Sequence, residues 1–231
     1  MPNRWERVNG VLTPKIARAS VAPETTAILT DYSKTDDFGY SASPTTDYTV
    51  TGTWSADVDG SKFLSGVVAG NSGGLRSLGT GKQIDPTKKV DFKCRLKLTD
   101  ADTELFAYIG LAQTAPTDAD PPVEADDYVG FNLVETTLNT NWQCITATNL
   151  GTTETTTDSG IVVDLNTFHT FEILGNSDGS EFEFKIDGNQ VAVTRLTVPT
   201  NTALFPTVKV TTGNTVAKGI VVDVMSVVNT R

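Results

Sequence analysis

Between Val90 and Leu98 apolar and polar residues alternate without a break: Val90, Phe92, Cys94, Leu96 and Leu98 against Asp91, Lys93, Arg95 and Lys97. A period of two sends successive side chains to opposite sides of an extended chain, so this run predicts a strand with one dry and one wet face. The same alternation sets Phe182, Phe184 and Ile186 against Glu181, Glu183 and Lys185. It stops at Asp187-Gly188, two residues that tolerate the positive φ of a tight hairpin turn, and Val191 to Val193 forms the apolar return. Shorter strand-like runs lie at Ala27–Leu29, Tyr48–Trp54, Lys62–Ala69, Tyr128–Val134, Asn141–Thr148, Ile161–Val163, Phe205–Thr211 and Ile220–Val228. Leu105–Ala112 reads as the partner of Val90–Leu98 across a turn at Asp100 to Asp102, and a polar Thr-rich turn is expected from Gly151 to Ser159. About eleven to thirteen short strands with no amphipathic helix predict an all-β fold, a two-sheet antiparallel β-sandwich.

The division expected is an extended N-terminal arm over residues 1–25, punctuated by Pro2, Pro14 and Pro23, and one sandwich over residues 26–231. A length of 231 residues suits a single large sandwich. Thr is the most conspicuous residue type, 37 in all, which favours strands and exposed sheet faces.

A net charge of −10 speaks against nucleic acid as a partner, because phosphate binding needs clustered Lys and Arg. The first 18 residues run the other way, with Arg4, Arg7, Lys15 and Arg18 against Glu6. No apolar run approaches the roughly 20 residues of a membrane helix, and no apolar core of a signal peptide opens the chain, so synthesis in the cytoplasm without a leader is expected. None of the 13 Asn residues opens an N-x-S/T sequon.

Candidate chemistry is sparse. Cys94 and Cys144 belong to no metal-type C-x-x-C; Cys94 has core parity and is expected as a buried thiol, with a bond to Cys144 open if the two face each other. The glycine-rich stretch from residue 66 to 81 misses a phosphate loop, since Thr80 stands where Lys is required and Gln83 follows Lys82. It is expected to be a flexible loop. Asp118, Asp120, Glu124, Asp126 and Asp127 offer hard oxygen ligands for calcium, but Pro121-Pro122 interrupts any EF-hand spacing, so no cofactor or metal is expected. His169, the single histidine, shares the parity of Phe171 and reads as a packed, hydrogen-bonded residue at a strand start.

Catalysis by acids would need two converging carboxyl groups. Glu181 and Glu183 share a strand face about 7 Å apart, but Lys185 takes the third position and the face is polar. For sugar binding, Trp54, Trp142 and Tyr128 are available as aromatic platforms, and Asn141 and Gln143 flank Trp142 as glycan contacts, although a Trp at a strand start also suits core packing.

Several segments together resemble concanavalin A-like domains in structural proteins of tailed bacteriophages. They are Tyr128-Val-Gly-Phe131, Asn141 to Thr148, Asp158 to Ile173, Phe184 to Gly188, Pro206 to Val210 and Ile220 to Val224, covering about half the chain. The resemblance implies a jelly-roll sandwich and a non-enzymatic virion surface protein: a capsid decoration, head fibre or tail-associated module. In that setting the N-terminal arm, with Arg4, Trp5 and Arg7, contacts other virion proteins, and a homo-oligomer gives multivalent attachment. A second reading is a lectin-like receptor-binding module for host-surface glycans; a third is a glycoside hydrolase.

Overall fold

The computed structural model describes residues 5–8, 11–14, 32–38, 48–77, 83–99, 104–113, 127–135, 141–148, 154–195, 197–199 and 204–230. Among these there is no helix, and the strands form two antiparallel sheets that stack as a sandwich. The seven-stranded sheet runs in the order β12 (Glu154–Val162), β11 (Asn141–Ala147), β10 (Tyr128–Glu135), β9 (Leu105–Ala112), β16 (Phe205–Thr212), β7 (Ser72–Ser77) and β4 (Tyr48–Thr51). The eight-stranded sheet runs β15 (Asn189–Thr194), β14 (Phe182–Ile186), β13 (His169–Gly175), β8 (Lys89–Thr99), β17 (Gly219–Thr230), β6 (Gly60–Leu64) and β5 (Thr53–Asp57). Its eighth member, β3 (Tyr32–Asp37), lies beyond β6 along the same edge of β17. A separate two-stranded hairpin joins β1 (Trp5–Val8) to β2 (Val11–Pro14), with Trp5 opposite Pro14.

The alternation in β8 becomes a strict exposed-to-buried alternation from Lys89 to Leu96. In β14, Phe182, Phe184 and Ile186 are buried, and the turn after it has positive φ at both Asp187 (53°) and Gly188 (78°), as a two-residue hairpin requires. The sheets meet through aromatic rings. Phe131 of β10 sits edge-on to Phe171 of β13 at 5.1 Å and to Phe184 of β14 at 5.4 Å, and Trp142 of β11 meets Phe171 at 4.8 Å. Edge-to-face pairs at these separations add to the burial of the rings themselves.

Four local expectations are corrected. β8 and β9 do not pair: β8 lies between β13 and β17, whereas β9 lies between β10 and β16 in the other sheet. Alternation locates a dry face, and both strands turn theirs toward the same core from opposite sides. Tyr48–Trp54 is likewise two strands in two sheets, split at Gly52, where φ is +74° and a Cβ would lie 2.2 Å from the Leu64 carbonyl oxygen. The Thr-rich segment expected as a turn is largely β12, an exposed edge strand suited to β-branched threonine. The glycine-rich stretch expected as a loop contains β7, whose Gly73 and Gly74 allow close backbone approach: a Cβ there would lie 2.5 Å from Leu64 and 2.2 Å from the Val208 carbonyl oxygen. Ala27–Leu29 lies outside the described residues.

Candidate functional site

In the seven-stranded sheet the register joins one outward residue from each strand into a row: Asp158, Gln143, Asn132, Tyr108, Lys209, Gly74 and Thr51. The residues flanking them in sequence point inward, among them Trp142, Cys144, Phe131, Leu133, Val208, Val210 and Leu75 of the main core. Five consecutive members of this row thus carry a polar side chain, and three of the five, Asn132, Tyr108 and Lys209, are at most 8% exposed. Polar groups are seldom withdrawn from water on a sheet face without a hydrogen-bonding or ligand-binding reason.

The next row, Thr156, Ile145, Gly130, Gly110, Thr207, Arg76 and Thr49, explains how Tyr108 lies. With no side chain at Gly110 or Gly130, the Tyr108 ring folds flat over both, and its hydroxyl donates toward the carbonyls of Leu111 (2.9 Å) and Val129 (3.2 Å). Burial, with Tyr128 nearby, holds that hydroxyl well above the ordinary phenol range. Tyr108, Ala112, Tyr128, Ile145 and Ala147 form a second apolar cluster on this face, and the Tyr128 hydroxyl donates to Glu154 at the edge.

At the other end of the face, Arg76 stacks its guanidinium 4.2 Å from the centre of the Phe205 ring and donates to the Gln113 carbonyl. Beside it is a cavity of about 140 Å³, lined by Thr49, Thr51, Gly74, Arg76, Thr207 and Lys209 among others. It exists because Gly74 places no side chain opposite Lys209.

The sequence candidates are distributed unevenly around this face. Trp142 is 2% exposed and packs in the core, so its ring offers no platform to a sugar. Its neighbours Asn141 and Gln143 are half-buried at the β11–β12 bulge; Asn141 donates to Asp158 at 3.2 Å, and Gln143 to the Asn141 carbonyl at 3.3 Å. Tyr128 is buried, and Trp54 leans against the core. Trp5 and Arg7 lie in β1, with Trp5 opposite Pro14 and Arg7 opposite Leu12. Arg4, Asp118, Asp120, Glu124 and Asp126 lie outside the described residues; Asp127 is fully buried, and its backbone N–H donates to Gln113 Oε1 at 3.2 Å. Among the described residues no group of three His, Cys, Asp or Glu is placed to hold a metal.

Glu181 and Glu183 sit on the opposite sheet, each paired with a cation, Arg195 and Lys185 respectively. His169 is packed at the start of β13, with Nδ1 2.6 Å from the Asp187 carboxylate. Cys94 and Cys144 are both free and buried in opposite sheets; burial first, and Asp158 second, pushes the Cys144 thiol up to about 12, and burial raises Cys94 still further. Sequence reasoning missed Tyr108, Asn132, Lys209 and Arg76. The one available signal was glycine inside apolar strands, at Gly110 and Gly130, which marks close approach by another group.

No family model and no curated protein sequence matches the chain. Solved structures do match it in fold. The Emp47p carbohydrate recognition domain superposes with a TM-score of 0.62 at 13% identity, covering 87% of this chain and 96% of that one. The Crh5 transglycosylase in complex with NAG gives 0.62 at 13% identity, covering 86% and 84%. A β-glucanase of Bacillus licheniformis gives 0.59 at 13%, covering 86% and 98%. The Emp46p carbohydrate recognition domain, at 10% identity and a TM-score of 0.58, is solved both metal-free and with potassium bound. The chain therefore has the concanavalin A-like jelly-roll architecture of lectin domains and glycosidases. No phage protein is among these structures, and the phage resemblance gains nothing from them.

The expectation of a non-enzymatic protein is corrected by the same finding. A glucanase and a transglycosylase share this architecture, so the sandwich gives no ground for excluding catalysis. The expectation rested on the phage resemblance and on the polar face that carries Glu181 and Glu183, and neither bears on the outward face of the other sheet, which holds a cavity. What the outward face lacks is an acid pair on its central strands: no outward position of β16, β9, β10 or β11 is Asp or Glu. Glu154 and Asp158, both on β12, stand about 13 Å apart by the strand repeat, against the roughly 5 to 9.5 Å that two-carboxylate glycosidases use.

Proposed function

We propose that the chain binds carbohydrate, receiving a saccharide along the outward face of its seven-stranded sheet. The observation that carries this reading is the polar row from Asp158 to Thr51, with Asn132 and Lys209 withdrawn from water at its centre. The amides of Gln143 and Asn132 stand on neighbouring strands, roughly 4.8 Å apart, and each offers both a donor and an acceptor to sugar hydroxyls. The fold shared with the Emp47p recognition domain and with enzymes named for their action on glycans supports the same reading.

Saturable binding of the whole chain to at least one class of glycan is the expected result on a glycan array followed by calorimetry. Asn132→Leu, which keeps the volume and removes the amide, should weaken that binding about tenfold or more, the loss expected for a buried hydrogen-bonding group. Incubation with the bound polysaccharide and assay of new reducing ends decides whether binding is accompanied by turnover. Absence of saturable binding to every glycan class would overturn the proposal.

A further inference from the structure

We propose that a second cavity, on the outward face of the eight-stranded sheet, binds a neutral sugar unit. This surface lies across the core from the polar row, so the inference stands or falls separately from the carbohydrate reading above. The cavity sits at a break in the sheet. β6 pairs with β17 from Gly219 to Val222, and β3 pairs with the same edge from Val224 to Asn229, so the two neighbours meet at Asp223. On the other edge of β17, Val222 lies opposite Leu96 and Val224 opposite Arg95, which leaves Asp223 as the extra residue of a β-bulge. A bulge re-aims a side chain, and here the Asp223 carboxylate turns outward onto Arg95. The volume at this junction is about 530 Å³, within the roughly 300 to 1,000 Å³ of small-molecule sites.

Arg95 and Lys97 share the wet face of β8, and both cations sit over the Phe168 ring, 4.2 and 4.8 Å from its centre. Arg95 is paired with Asp223, and Lys97 with Asp59 at 2.7 Å. Each cation is thus held by two contacts before a ligand arrives, and little freedom is lost on binding. The pairing also sets the class of ligand. An anion would have to displace Asp59 or Asp223, in a lining where Asp37, Asp59 and Asp223 outnumber the two cations. Among the described residues no group of three His, Cys, Asp or Glu is placed to hold a metal, so the acids do not make an ion site. A hydroxyl fits, because it donates to a carboxylate and accepts from a cation at once, and each ion pair presents both side by side. The amide of Asn166 adds a further donor and acceptor, while Phe168 and the exposed Val58 offer apolar contact. A neutral ligand dense in hydroxyls, with C–H patches between them, is a sugar.

The test is a titration of the isotope-labelled whole chain with methyl glucoside, methyl galactoside and methyl mannoside, read by amide chemical shifts, with methyl glucuronide as the charged control. At least one neutral glycoside should give saturable shifts at Asp59, Asn166 and Phe168, and the glucuronide should bind no more tightly than the glucoside. Asp59→Ala and Asn166→Gly should each weaken this binding about tenfold or more. Asn132→Leu, on the other sheet, should leave it within about twofold. Both altered residues at the cavity are exposed, and glycine adopts the φ of 60° that Asn166 has, so both variants should fold. Should either fail to fold, the shift map of the unaltered chain decides. No saturable shift at the cavity with any of the three glycosides, tighter binding of the glucuronide, or unchanged affinity in either folded variant overturns this inference. Shifts confined to the surroundings of Asn132 overturn it and support the carbohydrate reading; shifts confined to the cavity uphold it and count against that reading.

Discussion

Gly130→Ala tests the geometry on which the candidate site is built. A Cβ at that position would lie 2.7 Å from Tyr108 Cε2, 2.8 Å from Cζ and 2.8 Å from the Ile109 carbonyl oxygen. Ordinary contacts begin well beyond 3 Å, so the flat tyrosine ring must lift. Lifting it draws the hydroxyl from the carbonyls of Leu111 and Val129. Overpacking of this kind costs about 1–3 kcal/mol, and a lost buried hydrogen bond about 1 kcal/mol more, for a total of about 2–4 kcal/mol. Urea denaturation reads that loss directly. The cause is separable from generic strain: with Tyr108→Leu in the same chain the ring is gone, and the double variant should be about 1–3 kcal/mol more stable than the sum of the two singles. A displaced ring would also stand in the path of a saccharide, so Gly130→Ala should weaken glycan binding even where the protein is fully folded. Additivity within about 0.5 kcal/mol, or a destabilisation below about 1 kcal/mol, would refute the flat-ring arrangement.

The thiols predict a sensitivity to alkali. Because the folded-state value of Cys144 is raised from 9.0 to about 12, its contribution to stability is fully present below pH 9 and is lost as the pH climbs toward 12. At pH 10 that loss is about 1.4 kcal/mol, and Cys144→Ala should flatten the decline between pH 9 and 11 relative to wild type in paired urea titrations; an unchanged slope would contradict the burial of the thiol. The virion setting is tested by deleting residues 1–22. If the N-terminal segment with Arg4, Trp5 and Arg7 anchors the chain to a tailed-phage particle, the shortened protein should fold and fail to appear in purified particles, and full incorporation would rule the anchor out.

Legibility followed burial. Where one face of a strand is dry and the other wet, as in β8 and β14, alternation located the strand, and Asp187-Gly188 located the turn. In β9, β10 and β16 both faces are withdrawn from water over most of their length, so the period of two disappears from the very strands that carry Tyr108, Asn132 and Lys209. A lysine between two core valines, Val208 and Val210, reads from sequence as a strand position like any other. Only the cross-strand register, which brings it opposite Gly74 and next to Tyr108, gives it a setting. Sheet membership was hidden for a related reason. The inward faces of both sheets are apolar, so nothing local tells β9 that its neighbours are β10 and β16 in place of β8.

The two outward faces have the same origin, an antiparallel sheet with its other side on the core, and they meet water differently. On the eight-stranded sheet, Lys and Arg alternate with acids across neighbouring strands, and exposed pairs of that kind contribute little energy and keep the surface solvated. On the seven-stranded sheet, amide, phenol and ammonium groups are withdrawn behind one another, while two glycines lower the floor and a third opens a cavity. Withdrawing Lys209 to 8% exposure costs solvation that a surface lysine keeps, and replacing it with a threonine like its neighbours Thr207 and Thr211 would avoid that cost.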